Sequence, residues 1–381
     1  MCYPDYDTFV VLPWCTNTAR ILIEPTFRGQ SLDAHPSTIA KKQLERLKYL
    51  GLSLLSAHEY EFYLVDGKSR KPVNDDHSFY STLRNNENMK FLDQLMEQLP
   101  IVGIDVETVQ SEYGPGQQEI TYKPSFGIQA AHIAHTYKAS IKEIALHHGY
   151  MAVFMSKPWA DECGSSAHFN HSLWDAEGKI PMLYDANDRD GLSEIAQHWI
   201  AGILHHAPAT TLIEAPTVNC LSRLRNAANF VPKNNTWGMD NRNCFLRVKV
   251  NGPRCTYFEN RAGASGSNPY LTLAATVAAG IDGIQRKMTF PNALNSCMCD
   301  SHAYKPGKCD KHVIPEGIVP IPTTMKDALK AFLDDKVICE ALGEDFVALF
   351  TAHKFHELNL EAEAQDKGDK EWERKLFFKY L

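Results

Sequence analysis

The chain has 381 residues, 44% hydrophobic and 22% charged, with a formal net charge of −7. It is long enough for one large core or two domains, and its acidic balance argues against a nucleic-acid or membrane partner. No apolar run is long enough to span a bilayer, and Met1-Cys2-Tyr3-Pro4-Asp5 lacks the basic start and apolar core of a secretory signal. Ten scattered cysteines do not make the disulfide framework of a small secreted domain, so a reducing cytoplasm is the expected location.

In chain order, Thr8–Leu12 and Ala19–Glu24 read as two strands joined through Pro13-Trp14, so the chain begins inside a small β region. Pro36 to Leu50 is an amphipathic helix closed by Gly51. Leu54–Val65, rich in Tyr, Phe, Leu and Val, is a strand. Asn88–Gln98 reads as a helix, Val102–Glu107 and Gln118–Tyr122 as strands, and Ala130–His148 as a helix followed by a strand at Met151–Phe154. Further strands are predicted at Ala167–Leu173 and Cys244–Val250. Helices are predicted at Ser193–His205, Asn268–Gly280, Met325–Leu333 and Gly343–Leu360, with an irregular polar stretch at Asn292–Gly317. Strands and helices intermix without repeats, which points to an α+β fold with a sheet-lined cavity.

Four stretches carry chemistry. Alternation along Leu54–Val65 puts Glu59 and Glu61 on one face, about 7 Å apart. Buried there, each would need a cation. Glu112-Tyr-Gly-Pro-Gly-Gln-Gln-Glu119 can fold two further carboxylates toward one point, and three glutamates suit a hard cation. Cys163-Gly-Ser-Ser-Ala-His168 is a loop able to approach phosphate, ending in an imidazole. Arg242, Arg247, Arg254 and Arg261 flank Glu259, and arginine clusters suit phosphoryl and carboxylate oxygens. Each stretch alone has an ordinary reading: a solvated strand face, a structural histidine, a solvated arginine face. Together they suit two divalent metals and a polyphosphate. Cys297, Cys299, His302, Cys309 and His312 have zinc-binding residue types, but their irregular spacing favours solvated thiols.

The chain resembles the class I glutamine synthetase (glutamate–ammonia ligase) family, continuously from Pro4 to Leu381. The resemblance rests on Thr8-Phe-Val-Val-Leu-Pro-Trp14, His58-Glu-Tyr-Glu-Phe62, the Glu112–Glu119 motif, Pro216-Thr-Val-Asn219, Trp237-Gly-Met-Asp-Asn-Arg242, Asn268-Pro-Tyr-Leu271, Ala279-Gly-Ile-Asp-Gly283 and Glu371-Trp-Glu-Arg374. It implies an antiparallel-sheet half-barrel with surrounding helices over residues 29–381, preceded by the remnant of an N-terminal β-grasp domain over 1–28. It also implies two Mg²⁺ or Mn²⁺ sites, Glu61, Glu112 and Glu119 forming the first and Glu59, His168 and Glu259 the second. ATP would meet Ser172, Arg247 and Arg254. Substrate glutamate would meet Gly164, Arg223 and Arg261, with Arg242, Arg247 and Glu259 acting in the transfer. The implied assembly is a homo-oligomer of two stacked hexameric rings.

Departures from the family pattern matter as much. Phe230 falls where the family carries a flap glutamate that takes a proton from ammonium, and no carboxylate lies between Cys220 and Met239. Tyr257 replaces an arginine, Cys163 an asparagine and Asn170 a histidine. The β-grasp aspartate that the family lends to a neighbouring subunit is expected to precede Met1. Two readings follow, the first the expected function and the second its alternative. One is a metal-stabilised scaffold or assembly component, with a cytoskeletal partner or a chaperone-like role, that makes no glutamine. The other is an ATP-dependent ligase joining glutamate to ammonia or another amine.

Overall fold

The computed structural model describes residues 1–226, 230–291, 293 and 317–381. The cysteine–histidine stretch from Cys297 to His312 lies outside the described residues. The chain opens with β1 (Cys2–Val11), β2 (Ala19–Phe27) and β3 (Gln30–Ser31), a separate antiparallel sheet. Arg20 and the Trp14 indole both reach Glu143, and Lys41 reaches Asp5 and Glu24, so polar contacts hold this sheet against the body.

Next come α1 (Pro36–Tyr49), β4 (Leu52–Asp66), α2 (Thr82–Glu87), α3 (Met89–Gln98), β5 (Val106–Ser111), β6 (Gln117–Tyr122), β7 (Ser125–Phe126), α4 (Ile128–His147), β8 (Tyr150–Val153) and β9 (Ala167–Asp175). After α5 (Glu194–Glu214) and α6 (Val218–Asn226) come three short strands, β10 (Trp237–Met239), β11 (Leu246–Lys249) and β12 (Tyr257–Asn260). The chain then turns helical with α7 (Pro269–Gln285), α8 (Met325–Asp334), α9 (Lys336–Leu342), α10 (Glu344–Lys367) and α11 (Trp372–Phe377).

The long strand β4 is the spine of a nine-stranded sheet ordered β10-β11-β12-β9-β4-β6-β5, with β7 and β8 also paired to β4. It pairs antiparallel with β9 along Leu52–Tyr60 and with β6 along Tyr60–Tyr63. The pair β10–β11 is parallel. This is the expected α+β architecture. Helices α1, α5 and α7 bury their apolar sides with β9, β11 and β12 in one core, while α3 and α4 pack on β4 and β6 in another. Helices α5 and α7 come close because each offers a glycine: a Cβ on Gly202 would lie 2.2 Å from the Ala279 carbonyl.

Several predicted boundaries moved: the helices expected to end at Gly280 and Leu360 run on to Gln285 and Lys367, and two other shifts have a clear physical reason. The strand expected at Val102–Glu107 starts at Val106, because Gly103 at φ 82° ends a helical turn over Pro100–Val102. The helix expected to stop at His205 continues to Glu214 through Pro208. Proline cannot donate to the Leu204 carbonyl, and the Asn235 side chain donates to it instead at 3.0 Å. No helix among the described residues is long and apolar enough to cross a membrane.

Candidate active site

Strand register assembles the site. Glu59 lies opposite His168, Glu61 opposite Glu119, and Arg247 opposite Glu259, all on one face of the sheet. The Gly114-Pro-Gly116 turn brings Glu112 back beside Glu119. It does so by pressing onto β4: a Cβ on Gly114 would lie 2.1 Å from the Tyr63 hydroxyl, and Gly116 sits at φ 68°. Arg84, which no sequence pattern singled out, clamps this turn from below. It is 1% exposed and donates to the carbonyls of Ser78, Glu112, Gly114 and Gln117.

Two triads result. In the first, Glu61, Glu112 and Glu119 place carboxylate oxygens within 4.8 Å of one another. Gln110 donates to Glu112 at 3.0 Å and Glu119 at 2.6 Å, and the Ser166 amide donates to Glu61 at 2.8 Å. These donors do not neutralise three charges. Burial, then repulsion from Glu59, Glu61 and Glu112, pushes Glu119 up to about 10. Burial, then Glu61, pushes Glu112 up to about 8. Two carboxylates 4 Å apart repel by roughly 4 kcal/mol at an effective dielectric of 20, so a dication fits this pocket of hard oxygen donors.

The second triad is Glu59, His168 and Glu259, again within 4.8 Å. The His168 Nδ1 lies 3.1 Å from Glu59 and 3.3 Å from Glu259. Arg247 donates to Glu259 at 2.9 Å and Arg261 donates to its other oxygen. Burial opposes ionisation here, but the His168 hydrogen bond and the charges of His168 and Arg261 hold Glu59 down at about 2. Glu259 is likewise held below its ordinary range against burial, by His168, Arg261 and Arg247. Two carboxylates and an imidazole form a donor set suited to Mg²⁺ or Mn²⁺.

The remaining site residues divide. Arg261 also donates to the carbonyls of Arg242 and Phe230, tying the site mouth to its floor. Phe230 is held at φ 61°, a strained backbone for a bulky residue, with its amide on Asn243. Arg223 is buried and gives its guanidinium to the carbonyls of Arg261, Ala262 and Gly263. Its side chain packs on Gly164, where a Cβ would lie 2.6 Å from the Arg223 Cγ. Arg242 and Arg254 are exposed, the latter 5.7 Å above the Trp174 ring, whose nitrogen donates to Ser172. Asn170 donates to Glu59 at 3.3 Å, and the exposed Cys163 offers its carbonyl to Tyr63. Sequence reasoning missed Arg84, Gln110 and Asp240, the last an acceptor for Arg247. Of these, Gln110 had a signal in its alternation with Glu112, and Asp240 in its place within the Trp237–Arg242 motif.

Metal binding should be visible in stability. Glu112 and Glu119 keep protons in the metal-free fold that the unfolded chain releases near pH 4.5, so the native state binds more protons above that pH. Stability of the metal-free protein therefore falls as pH rises from about 4.5 through 8 for Glu112 and on to about 10 for Glu119. Mg²⁺ or Mn²⁺ should raise the melting temperature with concentration, release protons on binding and flatten this slope. Glu61→Ala should remove most of the shift; an unchanged wild-type melt across the millimolar range would exclude the site.

The glutamine synthetase catalytic-domain model matches residues 33–375. Lengsin of Rattus norvegicus is 37% identical over 373 residues, covering 96% of this chain and 63% of that protein. A glutamate–isopropylamine ligase of Pseudomonas sp. is 30% identical over 366 residues, covering 93% and 77%. The crystal structure of a novel glutamine synthase homolog superposes with a TM-score of 0.80 at 27% identity, over 94% of this chain and 80% of that one. The chain spans between 61% and 69% of the length of the curated lengsins it matches. Catalytic-domain match and relatives agree with the fold: the chain belongs to the glutamine synthetase family.

Proposed function

We propose that this chain is a metal-dependent ATP ligase that joins the side-chain carboxylate of glutamate to an organic amine rather than to ammonium. The observation that carries the reading is the complete pair of triads, each gathered within 4.8 Å by strand register. Dications held there would neutralise charge on phosphoryl oxygens and on the substrate carboxylate. ATP would lie along Glu59, His168 and Glu259, with Arg242 and Arg247 toward its phosphates and Ser172 and Arg254 toward the rest of the nucleotide. Gly164, Arg223 and Arg261 would face glutamate. At the mouth, Phe230 cannot accept a proton from ammonium, but its ring suits an amine with an apolar substituent. The similarity to glutamate–isopropylamine ligase supports this class of substrate.

The net reaction converts ATP, a carboxylate and an amine into ADP, phosphate and an amide. Residues 1–28 are assigned to a β-grasp segment, 29–381 to the catalytic domain, and the working form to a cytoplasmic homo-oligomer.

A second reading, a scaffold or assembly protein without turnover, is favoured by one observation. Arg223, Arg247 and Arg261 are spent on the protein's own carbonyls and carboxylates. ADP release with glutamate, Mg²⁺ and a panel of primary alkylamines and ammonium separates the two. The ligase reading expects at least one alkylamine to outpace ammonium. ADP release with none of them, in a protein that binds Mg²⁺, leaves the scaffold; ammonium as the best acceptor overturns the amine assignment.

A further inference from the structure

The register that places the second triad also places a cation beside it. Strands β11 and β12 pair Arg247 with Glu259 and Lys249 with Tyr257. Residues two apart share a face, so Lys249 and Tyr257 form the next row on the face that carries Arg247 and Glu259. Between β12 and β9, Phe258 lies opposite His171. One further step of that register carries Tyr257 toward Ser172. Lys249, Tyr257 and Ser172 thus form one row, neighbouring the row of Arg247, Glu259 and Asn170.

Lys249 is half-buried; its ammonium sits over the Tyr257 ring, 5.1 Å from its centroid, and has no carboxylate partner among the described residues. Its neighbours are committed. Arg247 donates to both Asp240 and Glu259, and Arg261 to Glu259 and two backbone carbonyls. A cavity of about 520 Å³ opens against Arg247, Lys249, Asn251 and Tyr257, with Asp240 on its wall. Asp240 is ion-paired with Arg247, so the charge on the cavity wall without a salt-bridge partner is the Lys249 ammonium. A partly desolvated cation beside a dication-binding triad fits an oxyanion shared between the two, as phosphoryl oxygens are. The aromatic ring explains how a flexible lysine is held there without a carboxylate to quench it.

We infer that Lys249, steadied by Tyr257, is a phosphate-binding residue of the nucleotide site, working in the row beside Arg247. The inference rests on the nucleotide part of the proposed function. It assigns to a lysine on β11 the cation missing at position 257, on the facing strand.

Calorimetry of Mg²⁺-loaded ADP tests it. Lys249→Met keeps the length and apolar stem but removes the charge. It should weaken binding about 10- to 100-fold, the effect of one charge-assisted hydrogen bond. The Mg²⁺-induced melting shift should stay unchanged, which also shows that the variant folds. Adding Tyr257→Arg to Lys249→Met should return most of the affinity by supplying the cation from β12; a purely structural lysine would not be rescued this way. Lys249→Met binding within twofold of wild type overturns the inference while leaving nucleotide binding standing. Failure of the wild-type protein to bind Mg²⁺-loaded ADP overturns both.

Discussion

Replacing Arg84 by methionine is expected to lower stability by about 3–5 kcal/mol and to abolish the metal-dependent rise in melting temperature. The side chain is 1% exposed and lies among four carbonyl groups, at 3.1 Å (Ser78), 2.8 Å (Glu112), 2.6 Å (Gly114) and 3.3 Å (Gln117). Three of these belong to the loop that delivers Glu112 and starts the strand ending beyond Glu119. Methionine fills much of the volume and donates nothing. Each buried carbonyl left without a partner costs about 1–3 kcal/mol, and the losses overlap because the loop can relax. Relaxation is itself the functional loss: once the loop moves, Glu112 and Glu119 no longer converge on Glu61. Arg84→Lys should recover little, since one ammonium cannot span carbonyls that a planar guanidinium reaches together. Urea denaturation with and without Mg²⁺ measures both effects. A loss below 1 kcal/mol with the metal shift intact would show that the loop holds its own shape.

Arg84 also marks where the sequence stopped being legible. Glu59 and Glu61 could be read because a long strand writes its alternation plainly, and the Gly-Pro-Gly turn between Glu112 and Glu119 announces a reversal. The floor of the site therefore followed from pattern. Arg84 sits in the polar stretch before α3, where no period marks one arginine as buried, and its partners are backbone atoms that every sequence possesses. Strand β12 has four residues, too short to show alternation, so the row that joins its Tyr257 to Lys249 of β11 emerged only from pairing. Tertiary contacts also overrode a local signal at Pro208, where a side chain remote in sequence satisfies the carbonyl that proline strands.

Glu259→Gln should have the second large effect, about 3–5 kcal/mol at pH 7, with loss of Mg²⁺-dependent nucleotide binding. Glu259 is 1% exposed, and its two oxygens take Arg261 and Arg247 while His168 lies 3.3 Å away. Glutamine keeps the shape but removes the negative charge that two guanidinium groups share, and breaking a buried pair from one side costs about 3–5 kcal/mol. The pH dependence identifies the cause. Burial alone would raise this carboxyl, yet His168, Arg261 and Arg247 hold it below 4.5. A depressed carboxyl contributes stability that is present above its unfolded value and lost as pH falls through its folded value. The gap between wild type and Glu259→Gln should therefore be full near pH 7 and close progressively as the pH drops below 4.5 toward the depressed folded value, whereas a packing defect would persist at every pH. Arg247→Met in the Glu259→Gln background should cost less than in the wild type, because the two groups answer each other. Additive losses in that cycle would mean that Arg247 is held by Asp240 alone, and that the second triad is not wired to the arginine row.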